Sequence, residues 1–241
     1  GTQCLICNSQ GSAYYFNISK CGFAKECQDD GTCRKVILGV YPKTTFLNIA
    51  LNKQLNVLGG KQYKWAKIGD SCSVSAQGVV SALKIGKCII NVSDITGAND
   101  LSYITIINIT PKYKETRSIS SSNPHLIFND NTTLDLLLSA ANNGNINVEF
   151  YNTSPIDPPN NLVSLNKFLI IEADKSINDN INAVLINITY DKDIINSNNI
   201  DENTLKIFYY SMPNDLWISY ASKINKTSSY GSYVSTNITH L

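Results

Sequence analysis

Two stretches of this chain alternate apolar and polar residues with period two: ALKIGKCIINVSDITG over 82–97 and AVLINITYDKDIINSNNIDENTLKIFYY over 183–210. Such a pattern places every second side chain on one face of a half-buried strand. Asn-x-Ser/Thr acceptors fall inside the same pattern. Asn187 and Thr189 lie two residues apart and share a face, while Ile188 between them faces the core. The same geometry fits Asn17 with Ser19, Asn91 with Ser93, Asn108 with Thr110 and Asn237 with Thr239; Asn131, Asn152 and Asn225 bring the acceptors to eight. Glycan at these positions would cover the outer faces of sheets, which is the expectation for an extracellular β-protein.

The 241 residues suffice for one large domain or for two to three small ones. Formal net charge is +1, so the chain lacks the basic excess with which nucleic-acid binders displace counterions. The charge is unevenly spread: residues 1–110 carry eleven Lys/Arg against six Asp/Glu, a net +5, and the remainder carries nine against thirteen, a net −4. Opposite signs favour head-to-tail contact weakly. No apolar run approaches the roughly 18 residues of a membrane span, and the first residues, GTQCLICNSQ, lack the pattern of a signal peptide, as a processed chain would.

Five of the seven cysteines, Cys4, Cys7, Cys21, Cys27 and Cys33, crowd the first 33 residues, and Cys72 and Cys88 follow. Among so many acceptors and so few helix signals, disulfides and an oxidising compartment are expected, with pairs among the first five left open. Zinc is the competing use. Cys4-x-x-Cys7 offers half a zinc knuckle, but the later spacings do not repeat it and no His lies near. Neither a metal nor a cofactor is expected.

Residues 1–34 form a cysteine-rich segment with one strand, AYYFNISK (13–20), too small for a core without staples: a disulfide-closed cap, or an extension packed on the next domain. Residues 35–110 show short strands separated by Gly, Asn, Pro and Asp turns, the rhythm of an Ig-like β-sandwich. The order Lys53-Gln54-Leu55, then Trp65, then VSAQGVVSALKIGKCIINV (74–92) resembles a bacterial Ig-like domain of the second group. That family's hairpin is matched by Val74, Gly78 and Val80, and its glycine before the next strand by Gly86. The resemblance implies a positive φ at Gly78 and a central core position for Trp65. Cys72 and Cys88 depart from the family by standing where apolar or small residues are usual. Cys72 shares a face with Val74 and Cys88 with Ile90, so both thiols point inward and a core disulfide between them is expected.

Residues 111–124, PKYKETRSISSSNP, are polar and Ser-rich with Pro near each end, a candidate linker. Residues 125–241 are a second β-sandwich by pattern. The series KFLIIEAD, INAVLINITYDKD, NNIDENTLKIFYY, NDLWISYASKINKT and YVSTNITHL resembles the PGF-pre-PGF domain of archaeal surface proteins, through Tyr190-Asp191, Asp201-Glu202 before Leu205, Tyr209-Tyr210, Trp217 and the run from Asn237 to His240. The family pattern continues past that His with a further strand, where this chain has Leu241. The resemblance thus implies either that the chain was cut there or that it lacks a strand, leaving an open sheet edge that something else fills, such as the stretch Gly1–Ser12 of a neighbouring copy.

No constellation calls for catalysis. Asp191, Asp193 and Glu202 occupy positions one, three and twelve of a Ca²⁺ loop, but Ile195 and Asn196 stand where a ligand and a Gly are needed, so a solvated loop is expected; Asp94, Asn99 and Asp100 are read the same way. His125 and His240 lie far apart on edges, without the sequence context of a nucleophile. The carboxylates fall in turn-like segments rather than in a cleft. Thirteen Tyr and two Trp offer a sugar-stacking face, though Trp65 and Trp217 read as core aromatics.

The expectation is therefore an all-β chain of tandem Ig-like sandwiches behind a small disulfide-rich segment. It is expected to be a non-enzymatic, extracellular subunit of an archaeal-type cell-surface assembly, a filament, sheath or layer. Its partners would be copies of itself, joined by strand pairing or head-to-tail contact, and N-linked glycans. The alternative is a monomeric surface adhesion or carbohydrate-binding module, and a third is the accessory region of an extracellular hydrolase.

Overall fold

The computed structural model of the chain describes residues 34–120, 124–129, 131–139, 143–160, 162–228 (side chains to 226) and 231–239, with the backbone of short strands before residue 34. These early strands are β1 (Ile6–Cys7), β2 (Ala13–Tyr14), β3 (Lys25–Cys27) and β4 (Cys33–Lys35). They form two antiparallel pairs, β1 with β2 and β3 with β4, and Cys27 stands opposite Cys33 in the backbone register. The pairing of the five N-terminal cysteines, the acceptor Asn17, and His240 with Leu241 lie outside the described residues. Two compact units divide the chain between Asn108 and Ile109.

The first unit continues with β5 (Gly39–Tyr41), β6 (Thr44–Asn48), β7 (Asn52–Gln54), β8 (Asn56–Leu58), β9 (Lys64–Ile68), β10 (Cys72–Val74), β11 (Val79–Ala82), β12 (Gly86–Ser93) and β13 (Asn99–Ile107). One sheet runs β6-β13-β12-β9, a second β10-β11-β7, and β5 pairs with β8. Alternation decides what is buried. Cys88, Ile90 and Val92 of β12 and Ile104 and Ile106 of β13 point into one core with Cys72, Val80 and Ala82 of the second sheet. Each fully buried aliphatic side chain contributes about 1.5–3 kcal/mol. The expected disulfide is present: Cys72 of β10 and Cys88 of β12, Cα atoms 6.0 Å apart, are both buried and join the two sheets.

The β10–β11 turn is built as the sequence suggests. Ser75 Oγ accepts from the backbone N–H of Gln77 and Val79 at 3.2 and 3.1 Å, and Gly78 takes φ +79°. A Cβ on Gly78 would lie 2.4 Å from Trp65 Cζ2, so the missing side chain is also the seat of the indole. Trp65 itself departs from expectation: it is half-buried and packs against the margin of the core, because β9 is an edge strand whose other residues are exposed.

The second unit comprises β14 (Tyr113–Ser120), β15 (His125–Ile127), β16 (Thr133–Leu138), β17 (Asn143–Tyr151), β18 (Phe168–Ala173), β19 (Ile181–Thr189), β20 (Phe208–Ser211), β21 (Leu216–Ser219), β22 (Ser222–Ser228) and β23 (Gly231–Ile238). Helices are few: α1 (Lys175–Asn178), α2 (Lys192–Ser197) and a 3-10 turn, Glu202–Thr204. A three-stranded sheet, β14-β17-β18, faces a five-stranded one, β15-β16-β19-β23-β22, across a core that includes Ile146, Val148 and Phe150 on one side and Leu134, Leu136, Val184 and Ile186 on the other.

Three expectations are corrected here. The polar run 111–124 is not a linker, because Tyr113–Ser120 is a strand paired along its length with β17. Its alternation is hidden: Tyr113 stacks on Phe150 and Ile119 is buried, but the positions between them on that face are Glu115 and Arg117, which neutralise each other at 2.7 Å. The last strand, β23, lies between β19 and β22 with both edges paired, so the open edge expected beyond Leu241 does not belong to it. Trp217 is no core aromatic: it sits half-buried on the β20–β21 hairpin, tilted against Tyr210, and its Nε1–H donates to the Asp157 carbonyl at 2.9 Å.

Candidate glycan-bearing face

The outer face of the five-stranded sheet follows from the ladder. Asn187 stands opposite Thr133 on one side and Ser235 on the other; Leu185 stands opposite Asp135 and Asn237, and Asn225 opposite Tyr233. Residues directly across an antiparallel ladder share a face, so Asn187, Asn225 and Asn237 all project from the side opposite Val184 and Ile186. Ile188 packs on the core, as the Asn-x-Thr parity requires. A fourth acceptor, Asn131, occupies the tip of the β15–β16 hairpin at φ +59°, where asparagine tolerates the left-handed region.

The acceptors differ in how free their amides are. Asn187 Nδ2 donates to Thr133 Oγ1 at 2.8 Å, and Asn225 Nδ2 donates to Tyr233 Oη at 2.8 Å. Both residues are half-buried, whereas Asn237, Asn131, Asn108 and Asn152 are exposed. Asn91 also faces outward on β12, but it is half-buried and its Oδ1 is enclosed without a hydrogen-bond partner among the described residues, an unfavourable place for an amide. The period-two pattern locates Asn187 and Asn237 on this face. The amide partner of Asn187, Thr133, is 54 residues away in sequence, so nothing local marks it, whereas Asn225 meets Tyr233 within one hairpin, eight residues on.

Beside this face lies a polar network. Tyr190 Oη donates to Glu202 Oε1 at 2.5 Å, and Lys226 Nζ reaches Glu202 Oε2 at 3.0 Å and Asn203 Oδ1 at 3.0 Å. Burial, with the neighbouring carboxylate, pushes the Tyr190 hydroxyl up to about 12, and the Tyr190 and Lys226 hydrogen bonds hold the Glu202 carboxyl below its ordinary value. Tyr220, stacked on Tyr209 at 4.8 Å, is likewise raised to about 12 by burial.

The remaining sites resolve locally. The segment 191–202, expected to be a solvated loop, is helical over Lys192–Ser197 because Ile195 buries itself; Asp191 caps that helix by accepting from Asp193 N at 2.8 Å, and Asp201 accepts from Asn203 N at 3.0 Å. Asp94 likewise serves its own turn, accepting from Thr96 and from Ala98 N. Asp100 accepts from Val40 N at 2.6 Å and pairs with Lys43. His125 is exposed on edge strand β15, paired with Asp135 across the ladder. Among the described residues no three His, Cys, Asp or Glu are grouped to hold a metal, and no helix is long and apolar enough to cross a membrane. No protein-family model matches the chain, and no curated protein does.

Proposed function

We propose that this chain is a secreted, glycosylated structural subunit of a cell-surface assembly, without catalytic activity of its own, joined to its copies by strand pairing. The cross-sheet disulfide supports an oxidising compartment. Four acceptors on one sheet support a glycan-covered outer surface, and the resemblance of the second sandwich to the PGF-pre-PGF domain is the source of the archaeal-type setting.

One observation carries the assembly reading. Strand β18, FLIIEA, pairs with β17 on one side and with no strand on the other among the described residues, and its one charged side chain, Glu172, stands near its end, leaving residues 168–171 uncharged. The other edges of these two sheets are guarded: β22 by Lys223 and Lys226 and an irregular register, β14 by Lys114 and Arg117, and β15 by its three-residue length. The apolar stretch 168–171 of that edge is the least guarded of the four and suits the addition of a foreign strand. Substituting Phe168→Lys, on the outward side of β18, adds the missing guard. The native chain should then assemble at rising concentration in gel filtration while the folded variant stays monomeric. A native chain that stays monomeric, or a variant that assembles equally well, overturns the reading.

The adhesion or carbohydrate-binding alternative rests on the β20–β21 hairpin, where Phe208, Tyr210 and Trp217 share a half-exposed face and Tyr210 is bonded to Asp215. Isothermal titration with oligosaccharides against Trp217→Ala decides it.

A further inference from the structure

The first unit has an end with an unusual composition. Three connections converge there: 34–38 leading into β5, 58–64 between β8 and β9, and 93–99 between β12 and β13. Their convergence is fixed by the backbone. Gly39 pairs with Leu58, Ile95 N donates to the Lys61 carbonyl at 3.2 Å, and Tyr63 Oη donates to the Gly59 carbonyl at 2.7 Å. Gly59, at φ +71°, lies so close to the Ile37 carbonyl that a Cβ would overlap it.

Four large apolar side chains stand out from these connections: Ile37 is 80% exposed, Ile95 60%, Leu58 52% and Tyr63 40%. Single exposed aliphatics are ordinary, but a group on adjoining loops marks a contact surface. The same connections carry Arg34, Lys35, Lys61 and Lys64, all exposed, and a single carboxylate, Asp94, which is buried. At the rim, Lys43 is matched by Asp100.

We infer that this end of the first sandwich docks on an anionic lipid bilayer, with Ile37, Leu58, Tyr63 and Ile95 entering the headgroup region and the lysines meeting the lipid charge. Both terms are needed. Apolar side chains on a rigid end gain by leaving water for the acyl boundary, and basic residues within a Debye length of an anionic surface add attraction that salt weakens. A soluble acidic partner would engage the basic residues and leave the aliphatics in water, so a bilayer fits the pair of features better. The docking face is independent of the assembly edge on β18, and either reading can fail without the other.

Co-sedimentation of the intact chain with vesicles of equal parts phosphatidylglycerol and phosphatidylcholine tests it, with pure phosphatidylcholine as comparison. The chain should pellet with the anionic vesicles only, and less so at high salt. Lys61→Glu with Lys64→Glu should weaken binding at least about tenfold. Ile37→Ser with Ile95→Ser should abolish it, with thermal unfolding unchanged because these side chains are exposed. Absence of pelleting with anionic vesicles, equal pelleting with neutral ones, or binding that survives both double variants overturns the inference. So does a finding that the same substitutions break a soluble oligomer of a chain that binds no vesicle, which would make this end a contact between copies.

Discussion

The side-chain amide of Asn187 donates to the hydroxyl of Thr133 across neighbouring strands, 2.8 Å away, and Thr133 is itself the hydroxyl residue of the Asn131 acceptor. One acceptor's nitrogen is therefore held by another acceptor's hydroxyl once the sheet has formed. Folded chain offered to a glycosylating enzyme in vitro should be modified at Asn237, Asn152 and Asn108 and not at Asn187 or Asn225. Chain glycosylated during synthesis should carry sugar at Asn187 as well. Site-resolved mass spectrometry of the two preparations compares them; equal occupancy of Asn187 in both would refute the protection.

Two glycines separate backbone from side-chain crowding. At Gly59 a new Cβ meets the Ile37 carbonyl, and at Gly78 it meets the Trp65 ring; both have positive φ. A half-buried ring can swing aside, but a backbone oxygen in a paired loop cannot. Gly78→Ala should cost about 1–2 kcal/mol and Gly59→Ala about 2–4 kcal/mol in urea unfolding of the first unit. The reverse order would mean that the Trp65 seat, and not the loop junction, is the tighter packing.

The Cys72–Cys88 bridge closes a loop with a sequence separation of 16. In the chain-entropy model that closure stabilises the first unit by about 3 kcal/mol. Replacing both cysteines by Ala should lower that unit's unfolding midpoint and leave no further response to reductant there. An unchanged midpoint would show that the core alone sets its stability.

Stability should fall at both extremes of pH. Tyr190 and Tyr220 ionise at about 12 in the fold, against 10 for an unperturbed tyrosine, so the fold retains their protons where the unfolded chain has lost them. Their contribution is full below about pH 10 and is lost as pH rises towards about 12. Glu202 works in the opposite sense: its lowered value stabilises above the unfolded carboxylate range and that contribution disappears as pH falls through the folded value. Tyr190→Phe should flatten part of the alkaline arm in a melting-temperature profile. An alkaline arm unchanged in Tyr190→Phe would assign the effect to Tyr220 alone.

Strands with clean alternation were readable in the sequence: β12, β17, β19 and β23 all fall where period two places them, and Cys72 and Cys88 meet because each shares a face with an apolar neighbour. β14 was hidden because Glu115 and Arg117 take core-side positions and neutralise each other, so the pattern reads as polar throughout. β22 was missed for a related reason, since SKINKTS has a single large aliphatic, Ile224, facing inward. The pairing of β23 with β19 is long-range, which no local pattern encodes, and so is the hydrogen bond from Asn187 to Thr133. The apolar end around Ile95 emerged only when three loops distant in sequence were brought together.

The central claim is that copies join through the apolar stretch 168–171 at the edge of β18. Negative-stain imaging of purified chain at rising concentration, beside Phe168→Lys, tests it most directly. The account predicts elongated or layered particles from the native chain and single particles from the folded variant; single particles from the native chain at every concentration would contradict it.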